Sequence, residues 1–247
     1  MKYYSGELFN PEEIIPFKGV DNLWASADII TGITTTGITV LDLDAGNLAS
    51  YPKSGNIWYD LTGRENNAYL NTGNEFQTIG GGSMRFDGTQ GMGVGVSPDF
   101  SSLNTNITLD SVIYCDNLND NRQICSKGFG YQYRFRVQNN GSLWIYCTNN
   151  GEMSGGHIYL NTWTYVAAVL SDTGFRIYIN GELVNSNSVP YNPATPFSDT
   201  SGHYVGAYNS MQEHFSGYIA TQRRYNRALN DSEIMNNFTA IRSRFGI

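Results

Sequence analysis

From Val40 onward the chain alternates apolar and polar residues with a period of two, the signature of half-buried strands. Val40, Asp42 and Asp44 fall on one side of the first such run, and Leu41, Leu43 and Ala45 on the other. Ser83 to Asp87 and Met92 to Val96 are short runs around an Asp87-Gly88 turn, and Ile107 to Cys115 is a longer one. Tyr131, Tyr133, Phe135 and Val137 alternate with Gln132, Arg134, Arg136 and Gln138. Asn139-Asn140-Gly141 then turns the chain back into Ser142 to Thr148. Trp163 to Leu170 is nearly all apolar and reads as a central strand. Phe175, Ile177 and Ile179 alternate with Arg176, Tyr178 and Asn180. Asn180-Gly181 predicts a type I′ hairpin turn, in which both central residues take positive φ, with Glu182 to Val184 returning. Residues 185–202 read as a surface loop, and His203 to Tyr208 and Phe215 to Arg224 as the last strands. About a dozen strands with no helix between them predict an all-β fold, a two-sheet antiparallel jelly-roll sandwich.

The period changes once, at the C-terminal end of the sequence. Asn230 can cap a helix and Glu233 can complete a capping box, with Leu229 and Ile234 in the staple positions. Ile234, Phe238 and Ile241 recur on one helical face, Arg242 and Arg244 suit the negative end of the dipole, and Gly246 can end the helix. Its apolar stripe predicts packing on the flank of the sandwich. Residues 1–39 follow neither period: Pro11, Pro16 and the TGITTTGIT run accompany scattered apolar residues. They read as an extended arm, docking on a partner surface or wrapping its own domain, and 40–247 as the jelly roll.

Composition adds exclusions. The net charge is −7, with Lys+Arg 15 against Asp+Glu 22, and no basic run interleaves with aromatics, so neither nucleic acid nor an anionic membrane surface is an expected partner. No apolar stretch has the length of a membrane span, and the N-terminus lacks the charged-then-apolar pattern of a secretory signal. Cys115, Cys125 and Cys147 have neither zinc-site nor disulfide-framework spacing. Buried free thiols in a reducing compartment are the expectation; one disulfide and one free thiol is the alternative.

Five motifs occur in order: LDLDAGNLASYP (41–52), GNIWYDLTGRENNAYL (55–70), GGSMRFDGTQ (81–90), NTWTYVAAVLSDTGFRIYINGELV (161–184) and FSGYIATQRRYNRALNDSEIMNNF (215–238). Together they resemble the laminin-G-like jelly rolls of the concanavalin A-like lectin/glucanase superfamily. The Trp58-to-Gly63 motif, the Tyr225-to-Leu229 run and the Arg244-Phe245-Gly246 ending are similar to domains of tailed-phage structural proteins, and related domains occur in bacterial surface proteins. The resemblance implies a non-enzymatic virion component, a capsid-decorating or tail-accessory protein in a symmetric or homo-oligomeric assembly. It would meet other virion proteins through its arm and present a lectin-like domain to cell-surface glycans. A carbohydrate-binding module of a bacterial surface protein and a glycan-active enzyme are the alternatives.

Catalytic motifs are weak. Superfamily glycosidases carry clustered carboxylates on one strand; here only Asp42 and Asp44 approach that pattern. His157, His203 and His214 sit in no lyase-like motif and read as exposed or satisfied turn-edge residues, and Gly80-Gly81-Gly82 is no phosphate loop. No catalytic residue is expected. The resemblance makes calcium the cofactor to consider, with Asp60, Asp87 and Asn209 as loop-edge donors; the other reading is Asx turns. If the apolar members of the central strands face the core, Arg134, Arg136, Trp144, Tyr146, Arg176 and Tyr178 face out. That set suits a glycan, a subunit interface or ordinary cross-strand pairing. Trp58 and Trp163 are expected in the core.

Overall fold

The structure is a computed structural model that describes residues 39–95, 106–127, 133–147, 151–190, 202–208 and 213–247. The arm ahead of Thr39 lies outside these residues. In chain order the strands are β1 (Thr39–Asp44), β2 (Ile57–Trp58), β3 (Ala68–Tyr69), β4 (Asn74–Gln77), β5 (Ser83–Asp87), β6 (Met92–Val94), β7 (Ile107–Cys115) and β8 (Arg122–Lys127). There follow β9 (Tyr133–Val137), β10 (Leu143–Cys147), β11 (Gly151–Gly155), β12 (Trp163–Ser171), β13 (Gly174–Ile179), β14 (Glu182–Ser186), β15 (His203–Val205) and β16 (Ser216–Tyr225). A 3-10 turn spans Ile79–Gly81, and helix α1 spans Asp231–Phe245.

The strands form two antiparallel sheets. Sheet A runs β14-β13-β12-β7-β16-β5-β4, and sheet B runs β11-β10-β9-β8-β15-β6-β3-β2. β1 and β5 share one edge of β16: β5 pairs with Ser216–Ile219 and β1 with Thr221–Tyr225, on either side of a bulge. The predicted sandwich is therefore the observed one. Its core lies between the sheets and holds Trp58, Phe86, Leu109, Ile113, Phe135, Ile145, Ile177 and their neighbours. Asn180 (φ 50°) and Gly181 (φ 82°) make the hairpin turn as expected. The three cysteines are buried and free, and burial pushes the Cys115 and Cys125 thiols up to about 11.

A second apolar layer lies outside sheet A. Ile234, Phe238, Ile241 and Phe245 of α1 pack on Val112, Tyr165, Ala167, Val169 and Ala220. Each such side chain contributes about 1.5–3 kcal/mol relative to exposure. The helix begins on the predicted box: the Asn230 side chain accepts from Glu233 N–H, and the Glu233 carboxylate accepts from Asn230 N–H. Arg227 holds the same carboxylate at 2.7 Å through both forks, keeping the Glu233 carboxyl below its usual range. Gly246 ends the helix in the left-handed conformation.

Beneath α1 lies a buried polar network. The Asp110 carboxylate accepts from Tyr165 Oη (3.1 Å), Tyr225 Oη (3.2 Å) and Asn237 Nδ2 (3.2 Å), and Arg223 Nη1 stands 3.4 Å away. At the other end of the helix Arg244 donates to Gly80 O (2.8 Å), Gly82 O (2.6 Å) and Asp44 (2.6 Å). Gly80 has φ 63°, and a Cβ there would stand 2.5 Å from the Trp163 ring, so only glycine lets this turn close under the latch. The Tyr225–Leu229 run and the Arg244-Phe245-Gly246 ending thus include residues that fasten the helix.

Candidate functional site

The predicted outward set divides between opposite sides of the molecule. Arg176 and Tyr178 lie on β13, on the face of sheet A that receives α1. Arg176 donates to Asp231 (2.7 Å) and Leu229 O (2.8 Å), and Tyr178, fully buried, donates to the same Asp231 oxygen (2.7 Å). These two residues seat the helix. Arg134 and Arg136 on β9, with Trp144 and Tyr146 on β10, face outward from sheet B. One exposed aromatic–arginine face is therefore replaced by two separate clusters.

The sheet B cluster is closed on itself. The Arg136 guanidinium lies 3.9 Å from the Trp144 ring centroid, and that of Arg134 lies 4.1 Å from Tyr208. Trp144 stacks on Tyr146 at 5.5 Å and 13°, and its Nε1 donates to Glu152 at 3.0 Å. Glu213 reaches in ahead of β16, accepts from Arg136 at 2.8 and 2.9 Å, and also takes Arg134. Trp144 is left only 6 % exposed and Arg134 8 % exposed, so the indole has no free face to offer a sugar.

Beside it the same sheet face is open. Tyr69, Gly93 and Tyr204 stand directly opposite one another on β3, β6 and β15, and Ser126, Arg134, Tyr146 and Glu152 continue the row across β8 to β11. Tyr69 is 45 % exposed and Tyr204 half-buried. A Cβ on Gly93 would meet nothing within 4 Å. The row thus contains a trough: a glycine floor with a tyrosine on each side. Two strand spacings set the walls about 10 Å apart at the backbone. A ring held at ordinary contact of about 3.5–4 Å from each wall needs about 7–8 Å. Of the alternate glycines Gly91, Gly93 and Gly95, only Gly93 lies within the strand with open space above it; Gly91 packs on Ala207 and Gly95 lies near Asn67. Which strands flank it is not written locally.

The other candidates resolve differently. Asp60 is 9 % exposed; Oδ1 accepts from Asp42 N (3.0 Å) and Thr62 N (3.1 Å), and Oδ2 from Thr62 Oγ1 (2.6 Å) and Asn66 N (3.2 Å). Asp87 Oδ1 accepts from Thr89 N and Oγ1, at 2.8 and 2.7 Å, and the Asp87 carboxyl lies below its usual range. Both read as Asx turns, with the carboxylate lone pairs turned onto the chain's own donors. Asn209 lies outside the described residues. No group of three metal-ligating side chains occurs among the described residues.

Asp42 and Asp44 each face a guanidinium, Arg223 at 3.2 Å and Arg244 at 2.6 Å. Burial pushes the Asp42 carboxyl up to about 6; Arg223 offsets part of this, and Asp44 and Asp110 add to it. The hollow beside Asp44, lined also by Gly46, Gly81, Ile241 and Arg244, holds about 60 Å³, room for a few waters. His203, expected at a turn edge, instead points into the interior. Its Nδ1 lies 2.9 Å from Arg224 Nη1, and burial, Arg224 and Lys127 hold its pKa well below the usual value. His157 is exposed and His214 half-buried.

Trp163 also departs from expectation. It is half-buried on the outer face of sheet A, 5.4 Å from Tyr114 and 4.9 Å from Phe245, whereas Trp58 is fully buried in the core. Tyr114 and Tyr218 continue from it in register, their rings packed edge to face. That arrangement presents no flat platform.

Residues 86–235, well over half of the chain, match the Laminin_G_3 family, and the chain belongs to the concanavalin A-like lectin/glucanases superfamily. Among solved structures, a Trypanosoma rangeli sialidase in complex with sialic acid is 21% identical over 81% of this chain and 32% of its own, with a TM-score of 0.62. The receptor-binding domain of a botulinum neurotoxin C/D mosaic serotype is 16% identical over 81% of this chain and 51% of its own, with a TM-score of 0.63. Domain 4 of AbnA, an extracellular GH43 arabinanase of Geobacillus stearothermophilus solved with arabinotriose, is 15% identical over 81% of this chain and 98% of its own, with a TM-score of 0.58. The chain spans about a third of the sialidases' length. At these identities the likeness is one of fold. No curated protein matches the chain.

Proposed function

We propose that this chain is a non-enzymatic glycan-binding jelly roll and that the outer face of sheet B presents its binding surface. The observation that carries the reading is the trough of Tyr69, Gly93 and Tyr204. Aromatic faces stack on the apolar side of a sugar ring, and a glycine floor lets that ring approach the sheet. A lectin-type fold and a neighbour solved with arabinotriose support it. The absence of catalysis is part of the proposal: Asp42 and Asp44 are each engaged by an arginine, and the hollow beside Asp44, at about 60 Å³, is far smaller than a substrate pocket.

A glycan array with the full chain and Tyr69→Ala tests it. Saturable binding to at least one neutral glycan, weakened about tenfold or more in the variant, is the expected result. No binding by the wild-type chain anywhere on the array refutes it.

We place the module in a tailed-phage particle, docked through residues 1–39. This rests on the motif likeness at Trp58–Gly63, Tyr225–Leu229 and Arg244–Gly246. Deletion of residues 1–38 should abolish incorporation into particles while leaving the jelly roll folded. Normal incorporation of the truncated chain would remove this part of the reading.

A further inference from the structure

We infer that the arginine pair Arg134–Arg136 is a carboxylate-binding subsite, held by the chain's own Glu213 and able to take the acid group of a uronic or other acidic sugar in its place. The inference rests on the reading of sheet B as the glycan face. The chemistry of the subsite is shown by its present occupant. Arg136 Nη1 donates to both Glu213 oxygens, at 2.8 and 2.9 Å, and Arg134 Nη2 donates to Oε2. Two guanidiniums on one carboxylate, Arg136 sharing one Nη between both oxygens and Arg134 adding one Nη to Oε2, make a charge-assisted anion contact.

The forks are held independently of that anion. Arg136 rests on Trp144, Arg134 rests on Tyr208, and Trp144 is fixed by Glu152 and Tyr146. The Nε of each arginine is buried and has no hydrogen-bond partner among the described residues. The ring contacts, not the carboxylate, therefore hold both guanidiniums in place when the carboxylate changes.

Glu213 is the replaceable member. It comes from the connection ahead of β16, not from sheet B, and sits at φ 52°, a left-handed conformation that favours glycine over glutamate. Its side chain remains 21% exposed, so solvent already reaches the contact. Arg134 also lies on the same cross-strand row as the trough, two strands beyond Tyr204 and about 10 Å from it by strand spacing. An oligosaccharide lying across the strands can stack in the trough and set its acid group on the arginines. Exchange of one carboxylate for another gains little charge energy. Wild-type selectivity for acidic sugars is therefore weak, and removing Glu213 unmasks it.

The probes are glucuronate and glucose, which differ by the carboxylate, titrated calorimetrically into the full chain, Glu213→Gln and Arg136→Gln. If Glu213 fills the subsite nine-tenths of the time or more, Glu213→Gln binds glucuronate about tenfold or more tightly than wild type. Glucose binding should be the same in both, and Arg136→Gln should show no preference for the acid. A folded Glu213→Gln chain that binds glucuronate no better than wild type overturns the inference. Should that variant not fold, Glu213→Gly, which the left-handed backbone at this position favours, takes its place: it must bind glucuronate more tightly than wild type, and binding no tighter overturns the inference. Neutral-glycan binding lost in Tyr69→Ala is the separate readout of the trough. Intact neutral binding without acid selectivity sinks only the carboxylate subsite; acid selectivity without any neutral binding sinks only the trough.

Discussion

The two outer faces of this sandwich place similar side chains under opposite regimes. On sheet A, Asp110, Arg223, Tyr165 and Tyr225 are fully buried under α1, and their polar groups bond to one another, to Asn237 of the helix and, through Arg223, to Asp42 of β1. On sheet B, Arg134, Arg136 and Glu213 make an equally tight set with no helix above it among the described residues, and solvent reaches the Glu213 side chain. The difference is the lid. Buried charge under a lid specifies where the helix docks. The same chemistry without a lid leaves a contact that another molecule can enter.

The comparison breaks most visibly at Asp110. Asp110→Ala leaves the Arg223 guanidinium and three neutral donors facing an empty place, and should cost about 3–5 kcal/mol in urea unfolding, as loss of one partner of a buried pair does. A loss below 1 kcal/mol would mean that the network carries no stability.

Asp42 gives the next effect, through pH. Its folded pKa of about 6 lies above the unfolded value of 3.8. Between these values the folded state binds the extra proton, so Asp42 adds stability as pH falls from about 7 to 4 and withdraws it as pH rises. The term is of order 2 kcal/mol, allowing for partial exposure. Asp42→Asn should be more stable than wild type at pH 7 and no more stable at pH 4, by unfolding at the two pH values. Parallel pH profiles would contradict the raised carboxyl.

Asn230→Ala removes the cap of α1 and should cost about 1 kcal/mol of thermal stability. Tyr69→Ala is the smallest in stability, within about 0.5 kcal/mol for an exposed side chain away from such features, while it removes glycan binding. A variant that unfolds instead would make Tyr69 a structural residue and close the trough as a site.

Much of the fold was legible in residue order because its signals are local. The Asn180-Gly181 turn, the Asn230–Glu233 box and the alternation of Tyr133, Phe135, Leu143 and Ile145 each rest on neighbours a few positions apart. The candidate site was only half legible. Period two told that Arg134, Trp144, Arg176 and Tyr178 leave the core, but alternation is blind to which sheet a strand joins. β9 and β10 went to sheet B and β13 to sheet A. Trp163 and His203 were misplaced for the same reason: one sits at the rim of the face that α1 only partly covers, and the other meets Arg224 from the opposite sheet.

The sequence by itself therefore determined the longer alternating strands, the hairpin turn and the capped helix, because steric and hydrogen-bond preferences of adjacent residues specify them, whereas the strands at Ile57–Trp58, Ala68–Tyr69, Asn74–Gln77, Arg122–Lys127 and Gly151–Gly155 carried no such local signal. Tertiary structure alone decided that Tyr69 and Tyr204 flank Gly93, that Glu213 sits between Arg134 and Arg136, and that Arg176 and Tyr178 seat a helix. Each of those contacts joins residues far apart in the chain through strand pairing, and pairing is chosen by burial of the whole sandwich rather than by any single segment.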